Sequence, residues 1–320
     1  MKYLFFSLFF ILIQTKNGFS QCCGGCNPIG GNTNQGTLPK NILQLNSYYK
    51  YGYSEGYKEE DHISDFKFVK NATSNFINLQ VGYGVTKHFT AQAEVGYYLN
   101  RTQNFVTIGT YTIPSLNGFG GSSAILTGKY NIVKDTTHDF EFTIGLGVKM
   151  PWGLAPQIVN GVELSEDVQP SNGAYGLVLQ SFLFKQFDRS NVRIFLINGI
   201  TYNTINQRNY KEGNMYLTSF FVSKTFSQNI TGIFQLRNEI KDFAYRDNLK
   251  VSSSGGYKFI FVPQLNYKIK QNYNISLLYE LPIYQYYKGI QLNDKYAFTV
   301  NLNIRFGVTK SANQLCAKPN

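Results

Sequence analysis

The chain has 320 residues, a formal net charge of +11 and a mean hydropathy of −0.23. That length suits one large domain. Past the N-terminal segment no run reaches the roughly 20 apolar residues of a membrane helix, which excludes a helical membrane protein. The Lys and Arg are scattered through the chain and form no basic block, which argues against a nucleic-acid partner.

Residues 1–20 read as a secretory signal. Lys2 supplies the positive start, Leu4 to Ile13 the apolar core, and Gly18 and Ser20 the small residues before a cut. Cleavage after Ser20 leaves Gln21 first. The alternative is lipoprotein processing at Cys22, for which Phe19-Ser20-Gln21 is a poor match.

Residues 21–41 carry Gly, Asn, Pro and Cys without periodicity, which means turns and irregular backbone. They form a leader, either a periplasmic tail or a plug in the barrel mouth. Cys22, Cys23 and Cys26 sit close together and Cys316 lies near the other terminus. In an oxidising compartment these four are disulfide candidates. A thiolate site for copper or zinc at Cys22, Cys23 and Cys26 is the alternative.

From residue 42 the chain alternates. The clearest stretch is FINLQVGYGVTKHFTAQAEVGYY, 76–98. Ile77, Leu79, Val81, Tyr83 and Val85 share one parity, with Asn78, Gln80, Gly82 and Gly84 on the other. After a turn at Thr86-Lys87-His88, Phe89, Ala91, Ala93, Val95 and Tyr97 alternate with Gln92, Glu94 and Gly96. Two alternating strands joined by a tight turn make a hairpin, and the unit recurs to the end of the chain. The predicted strands are 42–53, the pair within 76–98, 122–133, 140–150, 172–187, 191–204, 214–226, 229–240, 256–269, 273–284 and 296–306. Pro263 falls inside one of them and predicts a bulge or kink.

The connections alternate in length. Long ones fall at 54–73, 99–121, 151–170, 205–213, 241–255 and between the last two strands; short ones separate the other pairs. Outer-membrane barrels have short periplasmic turns and long outer loops. The reading is therefore all-β: a closed antiparallel transmembrane β-barrel of about 12 strands over 42–306, with a periplasmic tail at 307–320. The 24 Tyr and 26 Phe, against one Trp, suit aromatic girdles at the two membrane interfaces. The last strand, with Phe298, Val300, Leu302, Ile304 and Phe306 on one face, ends in Phe as many bacterial barrels do. The expected location is the outer membrane of a Gram-negative cell.

Several segments carry a family resemblance: VGYGVTKHFTAQAEVGYY, GSSAILTGKYNIV, GLGVKMPWG at 145–153, and FVPQLNYKIKQNYNISLLYELPIYQYYKGIQLNDKYAFTVNLNIRF at 261–306. Together they resemble the outer-membrane transporters named after the meta-pathway of phenol degradation, which are similar to long-chain fatty-acid transporter barrels. The resemblance implies a monomeric barrel that passes small hydrophobic molecules.

An enzyme barrel needs a nucleophile or activated water with a positioned base. His62, His88 and His138 fall in turns or polar loops with no nucleophile motif beside them, so no catalytic residue and no cofactor is assigned. The better candidates are ionisable residues on the polar parity: Glu94, Glu141, Lys149, Arg237, Glu239, Glu280 and Arg305. They face the lumen, where they pair with one another or line a route for a solute. About eight strands is the tightly filled case, so twelve leave space for a plug or a channel. In the outer loop 151–170, Trp152, Leu154 and Ile158 offer a patch where a hydrophobic molecule would enter, or else pack the loop over the mouth. The expected function is passive passage of small hydrophobic solutes across the outer membrane. The alternatives are a structural or interaction barrel without transport, or a metal-handling barrel using the N-terminal cysteines.

Overall fold

A computed structural model describes residues 36–309, apart from 108, 111, 112, 136, 154–156, 160, 161, 165, 167 and 271. The signal segment 1–20, the four cysteines and Leu154 lie outside the described residues.

In chain order the strands are β1 (Ile42–Glu60), β2 (His62–Ser64), β3 (Val69–Gly84), β4 (Phe89–Phe105), β5 (Leu116–Asp135), β6 (Phe140–Pro151), β7 (Ile158–Val159), β8 (Val162–Glu163) and β9 (Gly176–Phe187). They continue as β10 (Val192–Asn203), β11 (Tyr210–Lys211), β12 (Met215–Thr225), β13 (Ile230–Lys241), β14 (Tyr245–Arg246), β15 (Leu249–Lys250), β16 (Gly256–Lys270) and β17 (Tyr273–Gly307). One antiparallel sheet runs β17-β16-β13-β12-β10-β9-β6-β5-β4-β3-β1-β2, and pairing of β17 with β1 closes it into a barrel. Closure leaves the wall with no open edge, which a strand structure in lipid requires.

β17 doubles back. Tyr273–Tyr287 pairs with β16, and the remainder pairs with β1, both antiparallel. The reversal lies at Gly289, whose φ of 75° favours glycine. Counted by its two arms, β17 brings the wall to twelve crossing segments.

Several strands are longer than the alternation predicts. β1 runs on to Glu60, β3 starts at Val69, and β17 is unbroken where 285–295 reads as a loop. These extensions have polar residues on both faces, so period-2 contrast is lost. Neighbouring strands still satisfy their backbone groups, as where Glu60 pairs with Tyr287. Pro263 carries no register shift. It pairs in step with Phe234 of β13, and the irregularity on its β17 side falls between Phe259 and Ile260. A strand tolerates proline where only one ladder loses its N–H.

The short connections 85–88, 136–139, 188–191, 226–229 and 271–272 share one end of the barrel with Ile42 and Gly307. By the loop rule that end is periplasmic. The packing is inside-out. Ile77, Leu79, Leu126, Leu146, Leu179, Phe234 and Leu277 are exposed on the outer surface, while Asn46, Gln80, Asn131, Ser219, Gln235 and Thr299 are buried. Outward aromatics flank the aliphatic band. Tyr130, Phe187, Phe226, Tyr267 and Phe306 stand at the periplasmic end, and Tyr202, Tyr216, Tyr284 and Tyr296 towards the other. The outer group includes the stacked pair Tyr53–Tyr296, centroids 5.4 Å apart. An apolar band between two aromatic girdles is what a bilayer selects.

Candidate functional site

The lumen is the candidate site, and its wall has two chemically distinct sides. One side spans β9, β10, β12 and β13. There the inward positions Phe182, Phe184, Phe195, Ile197, Leu217, Phe221 and Ile233 form an apolar cluster. Phe184 and Phe195 stack with centroids 5.4 Å apart, and Phe195 meets Phe221 edge-on at 6.2 Å. Register explains the assembly. Phe182 stands opposite Ile197, Phe184 opposite Phe195, and Phe195 opposite Phe221, so each large side chain packs across the next ladder. Ile260, Val262 and Leu278 form a smaller apolar group on β16 and β17.

The other side spans the second arm of β17, then β1, β3 and β4, and is made of carboxamides and hydroxyls. Asn303 stands opposite Asn46, Asn301 opposite Tyr48 and Thr299 opposite Lys50. Asn78 and Gln80 donate to the two oxygens of Glu94, each at 3.0 Å.

Between the two sides runs a string of ion pairs. Glu280 takes Lys50 Nζ at 2.8 Å and Arg237 Nη2 at 2.5 Å, and Arg237 Nε lies 2.8 Å from Glu239. Towards the outer end Lys258 pairs with Asp294, which also accepts from Ser54 Oγ at 2.8 Å. Three cations thus face three carboxylates, so this part of the lumen carries no net charge. Buried ion pairs of this kind hold because each partner offsets the other's desolvation.

Of the sequence-derived lumen candidates, Arg237, Glu239 and Glu280 are therefore brought together. The others are dispersed. Glu94 sits among the amides. Glu141 accepts from the backbone N–H of Thr37 at 3.0 Å and from Thr143 Oγ1 at 2.9 Å. Lys149 reaches Asn203 Oδ1 at 3.0 Å, and Arg305 stands opposite Gln44 near the periplasmic rim. Lys50, Lys258 and Asp294 are functional-site residues missed in the sequence. Lys50 shares the parity of Gln44 and Asn46, so that alternation was the signal for it.

Both ends of the lumen are narrowed. At the periplasmic end residues 36–39 run along the inside of the wall, where Leu38 N–H donates to Thr90 Oγ1 at 2.8 Å. The approach is so close that a Cβ on Gly84 would meet Pro39 O at 2.0 Å. At the outer end the β6–β9 connection folds inward and buries Leu164, Val168 and Gln169. Gln169 ties it together by accepting from Gln157 N–H at 2.8 Å and donating to Leu164 O at 2.9 Å. Arg101 Nη1 holds its carbonyl at 2.7 Å. Glu166 on this connection pairs with Arg208 at 3.1 Å and Arg246 at 3.0 Å. Burial pushes its carboxyl above the ordinary range in spite of both arginines. Glu212, in the neighbouring connection, goes the other way. Lys241 and Lys149 overcome its burial and hold it at about 2.

Trp152 is folded down, its Nε1 donating to Gly96 O at 3.0 Å, with half its surface exposed. Ile158 is exposed in β7. His62, His88 and His138 are exposed, the last paired with Asp135 at 2.6 Å. Among the described residues no group of three or more His, Cys, Asp or Glu could hold a metal.

No protein-family model matches the chain, and no curated protein sequence matches it. Among solved structures it is similar in fold to an outer-membrane channel from Pseudomonas putida F1. The TM-score is 0.65 at 11% identity, over 85% of this chain and 97% of that one. The fold is that of bacterial outer-membrane β-barrels. The KdgM porin (TM-score 0.44, 10% identity, 82% of this chain and 98% of that one) and the NanC porin (0.48, 10%, 82% and 98%) are weaker likenesses. With its apolar band and girdles, the protein is a β-barrel of the bacterial outer membrane.

Proposed function

We propose that the barrel gives passive passage to small hydrophobic solutes. The observation that carries this reading is the aromatic cluster Phe182, Phe184, Phe195 and Phe221 on the inside of the wall. A barrel lumen is ordinarily polar, and an apolar surface there lowers the cost of moving an apolar molecule out of water. Two further observations support it. The charged groups of the mid-lumen are paired off, and the Pseudomonas putida protein of similar fold is a channel. The family resemblance of the sequence points the same way, to a monomeric barrel that passes small hydrophobic molecules.

The test is uptake into vesicles that carry lipopolysaccharide in the outer leaflet, which slows unaided entry of apolar molecules. Refolded protein should accelerate toluene over glucose. If neither enters faster than into empty vesicles, while the barrel shows the gel-mobility shift on heating of a folded β-barrel, the channel reading gives way to a scaffold role.

A further inference from the structure

The two ends of the barrel carry charge differently. At the periplasmic end each short turn contains a Lys or Arg or has one against it: Lys87, Lys185, Arg189, Lys224 and Lys270. Lys185 serves the turn at 136–139, where its Nζ donates to the carbonyl of His138. Acidic neighbours are confined to two of the five turns, at Asp135, Asp139, Glu141 and Asp188. Lys87, Arg189 and Lys270 are exposed and make no ion pair among the described residues. At the outer end Arg208, Lys241, Arg246 and Lys258 are each paired with a carboxylate. There the connection 54–73 holds five acids against three lysines. The positive excess of the described residues therefore gathers at the periplasmic rim.

The rim cations stand at the depth of the periplasmic aromatic girdle. Lys185 Nζ lies 5.9 Å from the centroid of the Phe187 ring, and Arg189 follows that ring by two residues. Lys224 precedes Phe226 by two residues, and His88, next to Lys87, meets the Tyr130 ring at 6.4 Å. Lys185 and Lys224 take the outward parity, opposite to that of Phe184 and the buried Ser223, and Lys270 stands opposite the exposed Tyr273. Girdle aromatics sit at headgroup level, so these ammonium and guanidinium groups meet the phosphates of the inner leaflet. The turns join β3 to β4, β5 to β6, β9 to β10, β12 to β13 and β16 to β17, so the cations encircle the barrel. A docked protein covers one side of a rim, whereas lipid surrounds it.

We propose that the periplasmic rim gathers a shell of anionic phospholipid from the inner leaflet, with Lys87, Lys185, Arg189, Lys224 and Lys270 holding the headgroup phosphates. Lys and Arg near a membrane surface are drawn to anionic headgroups, and salt screens the attraction. The shell is independent of whether the barrel conducts a solute.

Electron spin resonance of lipid bound to the refolded full chain tests it. The probes are spin-labelled phosphatidylglycerol and spin-labelled phosphatidylcholine in phosphatidylcholine vesicles. Phosphatidylglycerol should associate about threefold more strongly, and the preference should shrink in concentrated salt. Replacing Lys87, Arg189 and Lys270 together by Gln should remove most of the preference. The outer-end control, with Lys58, Lys67 and Lys70 replaced by Gln, should keep it. Gel mobility before and after heating shows that each variant folds, and Arg189→Gln alone replaces a triple variant that does not. Equal association of the two lipids with wild-type protein, or a preference that survives the rim variant and is lost in the outer-end control, overturns the proposal. If the lipids associate equally and purified peptidoglycan instead binds wild type but not the rim variant, the rim belongs to the cell wall.

Discussion

The two sides of the lumen solve the same problem in opposite ways. Each must fill the inside of a barrel wider than about eight strands, where side chains alone no longer pack the interior. The β9–β13 side fills it with rings that interlock across three ladders, and Phe221 there is fully buried. The β17–β1–β3 side fills it with short amides that leave hydrogen-bonding capacity unmet. The first side gains stability from burial. The second forgoes part of that gain, because polar atoms are buried there without a hydrogen-bond partner among the described residues. Glu280 links the two, accepting from Lys50 on one flank and Arg237 on the other.

The sharpest way to break this comparison is at the link. Glu280→Ala takes the buried Arg237 and the half-buried Lys50 from their shared counter-ion, and removal of one partner of a buried pair costs about 3–5 kcal/mol. The expected result is a large fall in the guanidinium midpoint of the folded barrel. A midpoint unchanged from wild type would mean that water reaches these charges freely and that the two sides are not coupled through them. On the aromatic side, Phe221→Ala should cost about 3 kcal/mol through the cavity it leaves. A loss below about 1 kcal/mol would show that the cluster is loosely packed.

The smallest effect has the opposite sign. Asn301→Leu removes two unmet polar atoms and puts apolar volume of similar size in their place, so it should stabilise the barrel by about 1–2 kcal/mol. Destabilisation by that amount would mean that Asn301 is a structural member of the wall, and the contrast between the sides would collapse.

Alternation in the sequence was enough to read the inside-out barrel, the ends of β6, β9, β10, β12 and β13 to within a few residues, and the polar parity of β3, β4, β6 and the last arm of β17. These follow from local physics. A strand between lipid and lumen must alternate, and a tight turn must join hairpins at one end. The aromatic side was not legible because its strands are apolar on both faces. In SFLFKQF at 181–187 and SFFVS at 219–223 the period-2 contrast vanishes, so no parity marks Phe182 or Phe221 as inward. The pairing of Glu280 with Lys50 was equally hidden, since 230 residues separate them. Only closure of β17 onto β1 decides that contact, along with the gathering of Asn46, Asn301 and Asn303 on one patch. A closing ladder aligns strands from opposite ends of the chain, and its register is set by all the strands between them together.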